Sequence, residues 1–396
     1  MKELIPNGGI PRNTLFAMAV IGGLTVANLY YNQPLLEAMR QSLGATEFQA
    51  NLITFITQLG YAAGLVLIVP LADKVSRRKI ITVNMSIAVL CCLTIALAKS
   101  LWVIWLASLV LGCNSVVPQM FIPVASHFSK PENKSRNMGI VLTGLLSGVL
   151  GARVLSGYIG ELAGWRTMFS IAAVIMTICL ICMLRTLPIM PNNFEGSYGK
   201  LMKSIGSIYH RYPTIRIYAL RGGLSFGSMM AIWSCMSFHL TGAPFHAGSD
   251  AVGMLGLCGL AGATAASGIG KYIPRFGIEK FCQAGSLLQF AAWIIAYFFS
   301  DSYVGLVAAI MLVDVGAQCY QLSNQSGCLS LVPEATNRSN TIFMSHLFAG
   351  GSLGTLCAGA AWNYGGWDAV CLVGFAFAFA VAVVNVLFQN TRTNAK

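Results

Sequence analysis

Two ionisable residues stand where ionisable residues are expensive. Arg153 lies deep in the apolar stretch 138–160, and Asp314 lies deep in 303–329. A charge at the middle of a bilayer costs at least about 2.5–3.5 kcal/mol, so neither is an idle passenger. At about 1.5 Å per residue, Arg153 sits about 14 Å from Leu162 and Asp314 about 16 Å from Tyr303, so two helices bring them to one depth. Burial and a neighbouring cation act in opposite senses on a carboxylate's hold on its proton, and separating the two would switch it. The sequence therefore marks Asp314 as a candidate proton-coupling group and Arg153 as its charge partner. A static buried ion pair is the alternative.

Asp314 also begins a polar row. Asp314, Gln318, Gln321 and Gln325 are spaced 4, 3 and 4, which projects them onto one narrow stripe of a helix and predicts a wet cavity wall. Other polar residues stand in apolar surroundings. Asn28, Tyr31 and Asn32 lie in 13–36, Asn51 and Gln58 share a face in 48–69, and Asn114 and Gln119 fall in 101–126. Each amide serves equally as a substrate contact or as a hydrogen bond between helices, worth up to about 1–2 kcal/mol.

Enzymatic chemistry finds little support. The five histidines form no HExxH, no Ser/His/Asp set lies within the apolar stretches, and no GxxxxGKS phosphate loop occurs. The twelve cysteines fall almost entirely inside apolar stretches, including the Cys179/Cys182 pair, where they read as packing residues rather than a metal or redox motif. No cofactor or metal is expected.

The elements that position these residues follow from composition. The chain of 396 residues is 56% hydrophobic and 10% charged, with mean hydropathy +0.68. Soluble proteins carry about 25% charged residues, so an ordinary soluble fold is excluded. Apolar stretches of about 20 residues, the length that crosses a bilayer, fall near 13–36, 48–69, 79–98, 101–126, 138–160 and 168–187, and again near 217–238, 251–270, 281–299, 303–329, 340–362 and 369–388. The expected fold is an all-α integral membrane protein of twelve transmembrane helices in two pseudo-repeated six-helix bundles: 1–187, a cytoplasmic linker 188–216, and 217–396 with a short cytoplasmic tail. The first stretch is too long for a cleaved signal and reads as a retained span. Within the linker, SYGKLMKSIGSIYHRY is either a short amphipathic surface helix or a plain solvated segment.

Charge placement gives a sidedness. With both termini cytoplasmic, 21 of the 25 Lys and Arg fall in inner loops or at inner helix ends, and Arg40, Lys99 and Arg166 fall outside. That distribution follows the positive-inside rule. The net charge of +12 is thus an orientation signal facing anionic lipid. It does not signal nucleic-acid binding.

The halves repeat at an offset of about 202. Pro131, Glu132 and Arg136 meet Pro333, Glu334 and Arg338; Gly148, Gly157, Gly164 and Trp165 meet Gly350, Gly359, Gly366 and Trp367; and Gln119 meets Gln321. Duplication with a site between the repeats is a transporter plan. Small residues recur every four positions at Gly144, Gly148, Ala152, Ser156 and Gly160, which lets helix backbones approach closely.

The loop VPLADKVSRRK (69–79) resembles the signature loop of the major facilitator superfamily, G-x-L-A-D-R/K-x-G-R-R/K. Leu71, Ala72, Asp73, Lys74, Arg77 and Arg78 match, while Val69 and Ser76 stand where glycine is usual. Gly139, Gly148 and Gly157 resemble the superfamily's antiporter signature, from which Ala152, Arg153 and Ser156 depart. NLYYNQPLL (28–36), QLGYAAGLVLIVPLAD (58–73) and PQMFIPVA (118–125) are similar to the bacterial drug–proton antiporter branch. The resemblance implies a central cavity lined mainly by the first, fourth, seventh and tenth spans, and an inner latch at Asp73 and Arg77. Positive-inside topology alone also accounts for that pair.

The resemblance implies a multi-pass inner (plasma) membrane transporter with secondary active transport, export of a small organic solute against protons, and no enzymatic role. An importer on the same fold and a non-transporting sensor are the alternatives. The expected partners are a small-molecule substrate, protons and membrane lipid, and the expected unit is a monomer. Reporter fusions after Lys79, near Lys200 and after Arg392 should report the cytoplasm, and fusions near Arg40, Asp250 and Asp368 the outside. A periplasmic signal from the central loop contradicts the twelve-span topology.

Overall fold

A computed structural model describes residues 4–5, 7–188 and 197–394, the side chains of Asp73, Ser135, Ser267, Glu334 and 389–394 excepted. Its helices are α1 (Arg12–Val26), α2 (Leu36–Leu43), α3 (Glu47–Leu67), α4 (Leu71–Lys74), α5 (Arg77–Leu97), α6 (Leu101–Asn114), α7 (Val117–Phe128) and α8 (Lys134–Ala163). They continue with α9 (Trp165–Thr186), α10 (Tyr198–Arg211), α11 (Pro213–Thr241), α12 (Ser249–Leu255), α13 (Gly259–Phe276), α14 (Ile278–Phe298), α15 (Tyr303–Leu331) and α16 (Thr336–Asn394).

Ten helical segments among the described residues are long and apolar enough to cross a membrane. One of them, Thr336–Phe388, has 53 residues. At about 1.5 Å per residue it would measure about 80 Å against a hydrocarbon core of about 30 Å. The backbone leaves helical geometry at Gly365 and at Gly366, where φ is 55°, and this divides α16 into two spans. α11 is not among the ten. It carries Arg216, Arg221 and His239, and it is buried along most of its length. A helix surrounded by protein can keep polar groups that lipid would exclude. With α11 included and α16 divided, the spans number twelve.

Turn chemistry repeats between the halves. Gly164, with φ 82°, precedes Trp165 as Gly366 precedes Trp367, so the repeated Gly-Trp is a left-handed turn that only glycine enters without strain. Three spans break in mid-course. The first breaks through the 3₁₀ turns Ala27–Leu29 and Gln33–Leu35, the latter holding Pro34. The fourth breaks between α6 and α7, just before Pro118, and the eighth at the 3₁₀ turn Gly256–Cys258. The middle of the linker segment is helical as α10, with Leu201, Ile205 and Ile208 buried within the protein, Ser197 capping its start and the Tyr198 hydroxyl donating to the Leu67 carbonyl (2.9 Å).

Equivalent glycine contacts hold each half. α1 crosses α8 so closely that a Cβ on Gly148 would strike the Gly23 carbonyl, and α11 crosses α16 so that a Cβ on Gly350 would strike that of Gly223. Between the halves, α3 runs against α16, with the Tyr61 and Phe348 ring centroids 4.3 Å apart. At the end carrying the 242–248 turn, expected to be outer, Asn51 Nδ2 donates to the Ser234 carbonyl (3.2 Å) and the Ser249 amide to Glu161 (3.0 Å). α8 meets α12 closely and α13 only slightly, so these helices part toward the inner end.

Gly148→Leu and Gly350→Leu should each lower the thermal midpoint of the purified protein by about 1–4 °C, since overpacking costs about 1–3 kcal/mol in a chain of this length. Gly151→Leu, at a position with open space around it, should leave the midpoint unchanged. Equal midpoints for all three would contradict the packing described.

Candidate functional site

One face of α8 runs through Gly139, Thr143, Leu146, Leu150, Arg153 and Gly157, spaced 4, 3, 4, 3 and 4, a single stripe of the helix. Its outer part is closed by the eighth span: Gly157 meets Ser249 and Gly253, Arg153 meets Gly256, and Leu150 meets Gly259. The 3₁₀ break and its glycine matter here, because a Cβ at Gly256 would lie 2.8 Å from that of Arg153. Below Arg153 the α1–α8 wall opens into a cleft of about 630 Å³. Phe16, Val20, Leu24, Ile140, Thr143 and Ser147 line it, with Arg136 at the inner mouth.

Arg153 stands five residues beyond Gly148, the last α8 residue that lines the cleft, or about 7.5 Å along the helix. It is 3% exposed, and Nε donates to Gln33 Oε1 (2.8 Å). The guanidinium carbon lies 3.7 Å from the ring centroid of Trp233 and 5.1 Å from that of Tyr30. Away from water such cation–π contacts contribute about 2 kcal/mol. Trp233 Nε1 donates in turn to Asp314 Oδ1 (3.2 Å), and Asp314 is 6% exposed. The indole thus stands between base and acid, and among the described residues no direct ion pair joins them. Arg153 acts electrostatically on Asp314, and Asp314 in turn on Tyr30 and on the Cys258 thiol.

The stripe below Asp314 is only partly engaged. Gln318 and Gln321 are half-buried and make no hydrogen bond among the described residues, as suits a wet wall. Gln325 Nε2 donates to Asn340 Oδ1 (2.8 Å).

The remaining polar residues do not gather at this point. Asn32 bonds Thr57 (3.3 Å) and accepts from Thr54 (3.4 Å), joining the first two spans. Asn114 turns back to its own Val110 carbonyl (2.8 Å), and Gln119 donates to the Tyr61 hydroxyl (3.1 Å). Asn28 accepts from the Cys92 thiol, its NH2 buried without an acceptor, and Tyr31 is buried in the first bundle. Gln58 reaches the other half, donating to Met230 Sδ (3.0 Å), with its carbonyl unpartnered. Arg77 is buried and lines a crevice between the halves at the inner end, with Gln119, Asn337 and Arg338. The side chain of Asp73 lies outside the described residues. Among those residues, no group of His, Cys, Asp and Glu is placed to hold a metal ion.

Sequence reasoning did not single out Tyr30, Gln33 or Trp233, nor a second buried cation. Arg221 is fully buried and bidentate to Glu279, at 3.1 and 3.0 Å, with Phe388 beneath it at 4.8 Å. Pro213 at the first turn of α11 is the available signal: a proline there marks a helix start, placing Arg221 two turns inside. Breaking a buried pair from one side costs about 3–5 kcal/mol. Glu279→Gln should therefore depress the thermal midpoint strongly, and Arg221→Met with Glu279→Gln should restore more than half of the loss. A double variant no better than the single would contradict a matched structural pair.

The family model described as Major Facilitator Superfamily matches residues 16–355. The chain is 33% identical over 382 residues to an uncharacterized transporter, YgaY, of Escherichia coli O157:H7, covering 96% of each. It is 30% identical over 373 residues to a probable transporter of Streptomyces coelicolor, covering 94% of this chain and 86% of that one. Its fold is similar to the crystal structure of the nucleoside transporter NupG, with TM-score 0.71, 14% identity and coverage of 96% and 98%.

Proposed function

This chain belongs to the Major Facilitator Superfamily, and from that premise we propose that it is a proton-coupled secondary transporter moving a small organic solute by alternating access. The observation that carries the reading is the Arg153–Trp233–Asp314 stack, which joins α8 of one half to α11 and α15 of the other. The moving bodies are 1–187 and 217–396, linked by a cytoplasmic 188–216 in the inner membrane.

Rocking one body against the other draws Arg153 away from Trp233 and Asp314. The carboxylate then loses its cation while keeping the indole N–H of its own half, and its hold on a proton changes with the side to which the cavity opens. That dependence couples solute movement to a pH gradient. The inner ends of α8 and α13 lie apart while the outer ends touch, which corresponds to a cavity open toward the cytoplasm. Asp73 and Arg77 act as the latch on that side, and Gln318 and Gln321 line the path.

Export is supported by the likeness of 28–36 and 58–73 to the drug–proton antiporter branch. A second reading, uptake together with a proton, is favoured by one observation: the terminal nitrogens of Arg153 have no acceptor among the described residues. A cation in need of an anion suits a solute that binds along with a proton on Asp314.

Proteoliposomes with an imposed pH gradient and a solute panel test the class, and the sign of the accumulation decides direction. Asp314→Asn, with folding verified, should abolish pH-driven accumulation while solute binding or downhill exchange persists. Retained accumulation in that variant overturns the role of Asp314.

A further inference from the structure

Arg153 has an unmet electrostatic need. Its Nε is taken by Gln33 and its face by Trp233 and Tyr30, yet among the described residues no carboxylate touches the guanidinium. Its two terminal nitrogens have no hydrogen-bond acceptor among the described residues. A guanidinium offers five N–H donors in a fork that matches a carboxylate or similar oxyanion, and a buried cation is tolerated when paired. The charge of the surroundings points the same way. The cleft beneath holds Arg136 at its mouth, no Asp or Glu lines it among the described residues, and its walls are mainly apolar.

We infer that the solute is an organic monoanion, its apolar body seated in the α1–α8 cleft against Phe16, Val20 and Ile140 and its oxyanion on the Arg153 guanidinium. This rests on the transport reading above and adds a chemical class to it. The second carboxylate in reach of the same cation is Asp314, across the indole. Two anions sharing one cation repel each other, and protonating Asp314 relieves the repulsion, so anion and proton bind together. The polar groups at Thr143 and Ser147 take up the less apolar part of the body.

The test is binding at constant pH, with no gradient, to the full-length protein in nanodiscs. The probes are 2-naphthoate, 2-naphthamide and 2-naphthylmethylammonium, which share a body and differ in charge. Titration calorimetry should give 2-naphthoate at least tenfold tighter binding than the amide, with the ammonium weakest. Arg153→Gln should bring 2-naphthoate to the level of the amide and leave the amide unchanged, while Arg153→Lys should retain part of the preference. An amide that binds as tightly as the acid, no binding of 2-naphthoate, or an undiminished acid preference in Arg153→Gln overturns the inference. If Arg153→Gln does not fold, the acid–amide comparison on the unaltered protein decides alone. Failure of the transport reading is a separate result: anion binding without gradient-driven flux. Failure of the anion class appears as flux without preference for the acid.

Discussion

Water is absent from the bilayer core, so each ionised group there must be matched by protein or must do something with its charge. The chain answers in two ways. Arg221 has its charge matched by a carboxylate: Glu279 takes both terminal nitrogens and Phe388 its face, all within the second half, with Nε alone left without a partner among the described residues. Arg153 is matched only in part, by one amide oxygen and two aromatic faces from both halves. The first arrangement stabilises a bundle. The second leaves a cation whose best partner depends on what enters the cleft and on how the halves are placed.

That dependence requires halves that are each rigid. The crossings of Gly23 with Gly148 and of Gly223 with Gly350 bring backbones into contact at equivalent places. Such interfaces have little room to slide, so each bundle moves as a body. Between the halves, the close approach of Gly157 to Ser249 and the Tyr61–Phe348 ring pair are joined by polar links: Asn51 to a carbonyl, Gln58 to a thioether, and Arg153 on the face of Trp233. The polar links are single contacts that can be exchanged for water or solute at modest cost. Movement accordingly falls between the bundles, where the ionisable residues are.

The spans were legible because hydropathy is a property of long windows, and the repeat was legible because Gly-Trp and Pro-Glu-x3-Arg recur at one offset. Both have local causes, a left-handed glycine turn and a helix start. Arg153 and Asp314 were legible as a pair because charge in an apolar window is rare, and depth along a helix is simple arithmetic. Trp233 was not. An indole on a span is as common toward lipid as toward a cavity, and only the crossing of α11 with α8 and α15 decides. Most of the amides were legible as polar residues without their partners being so: Asn114 meets its own helix and Asn32 its neighbour, contacts that depend on rotamers and on the register between helices.

In this account, solute and proton meet at one cation, and the stack at Trp233 carries their coupling. Proton exchange on ligand binding tests that claim most directly. In weakly buffered solution, addition of 2-naphthoate to the unaltered protein should draw up to about one proton per ligand bound, as linkage between the two sites requires. The uptake should disappear in Asp314→Asn. Binding with no proton taken up at any pH, or the same uptake in Asp314→Asn, would contradict it.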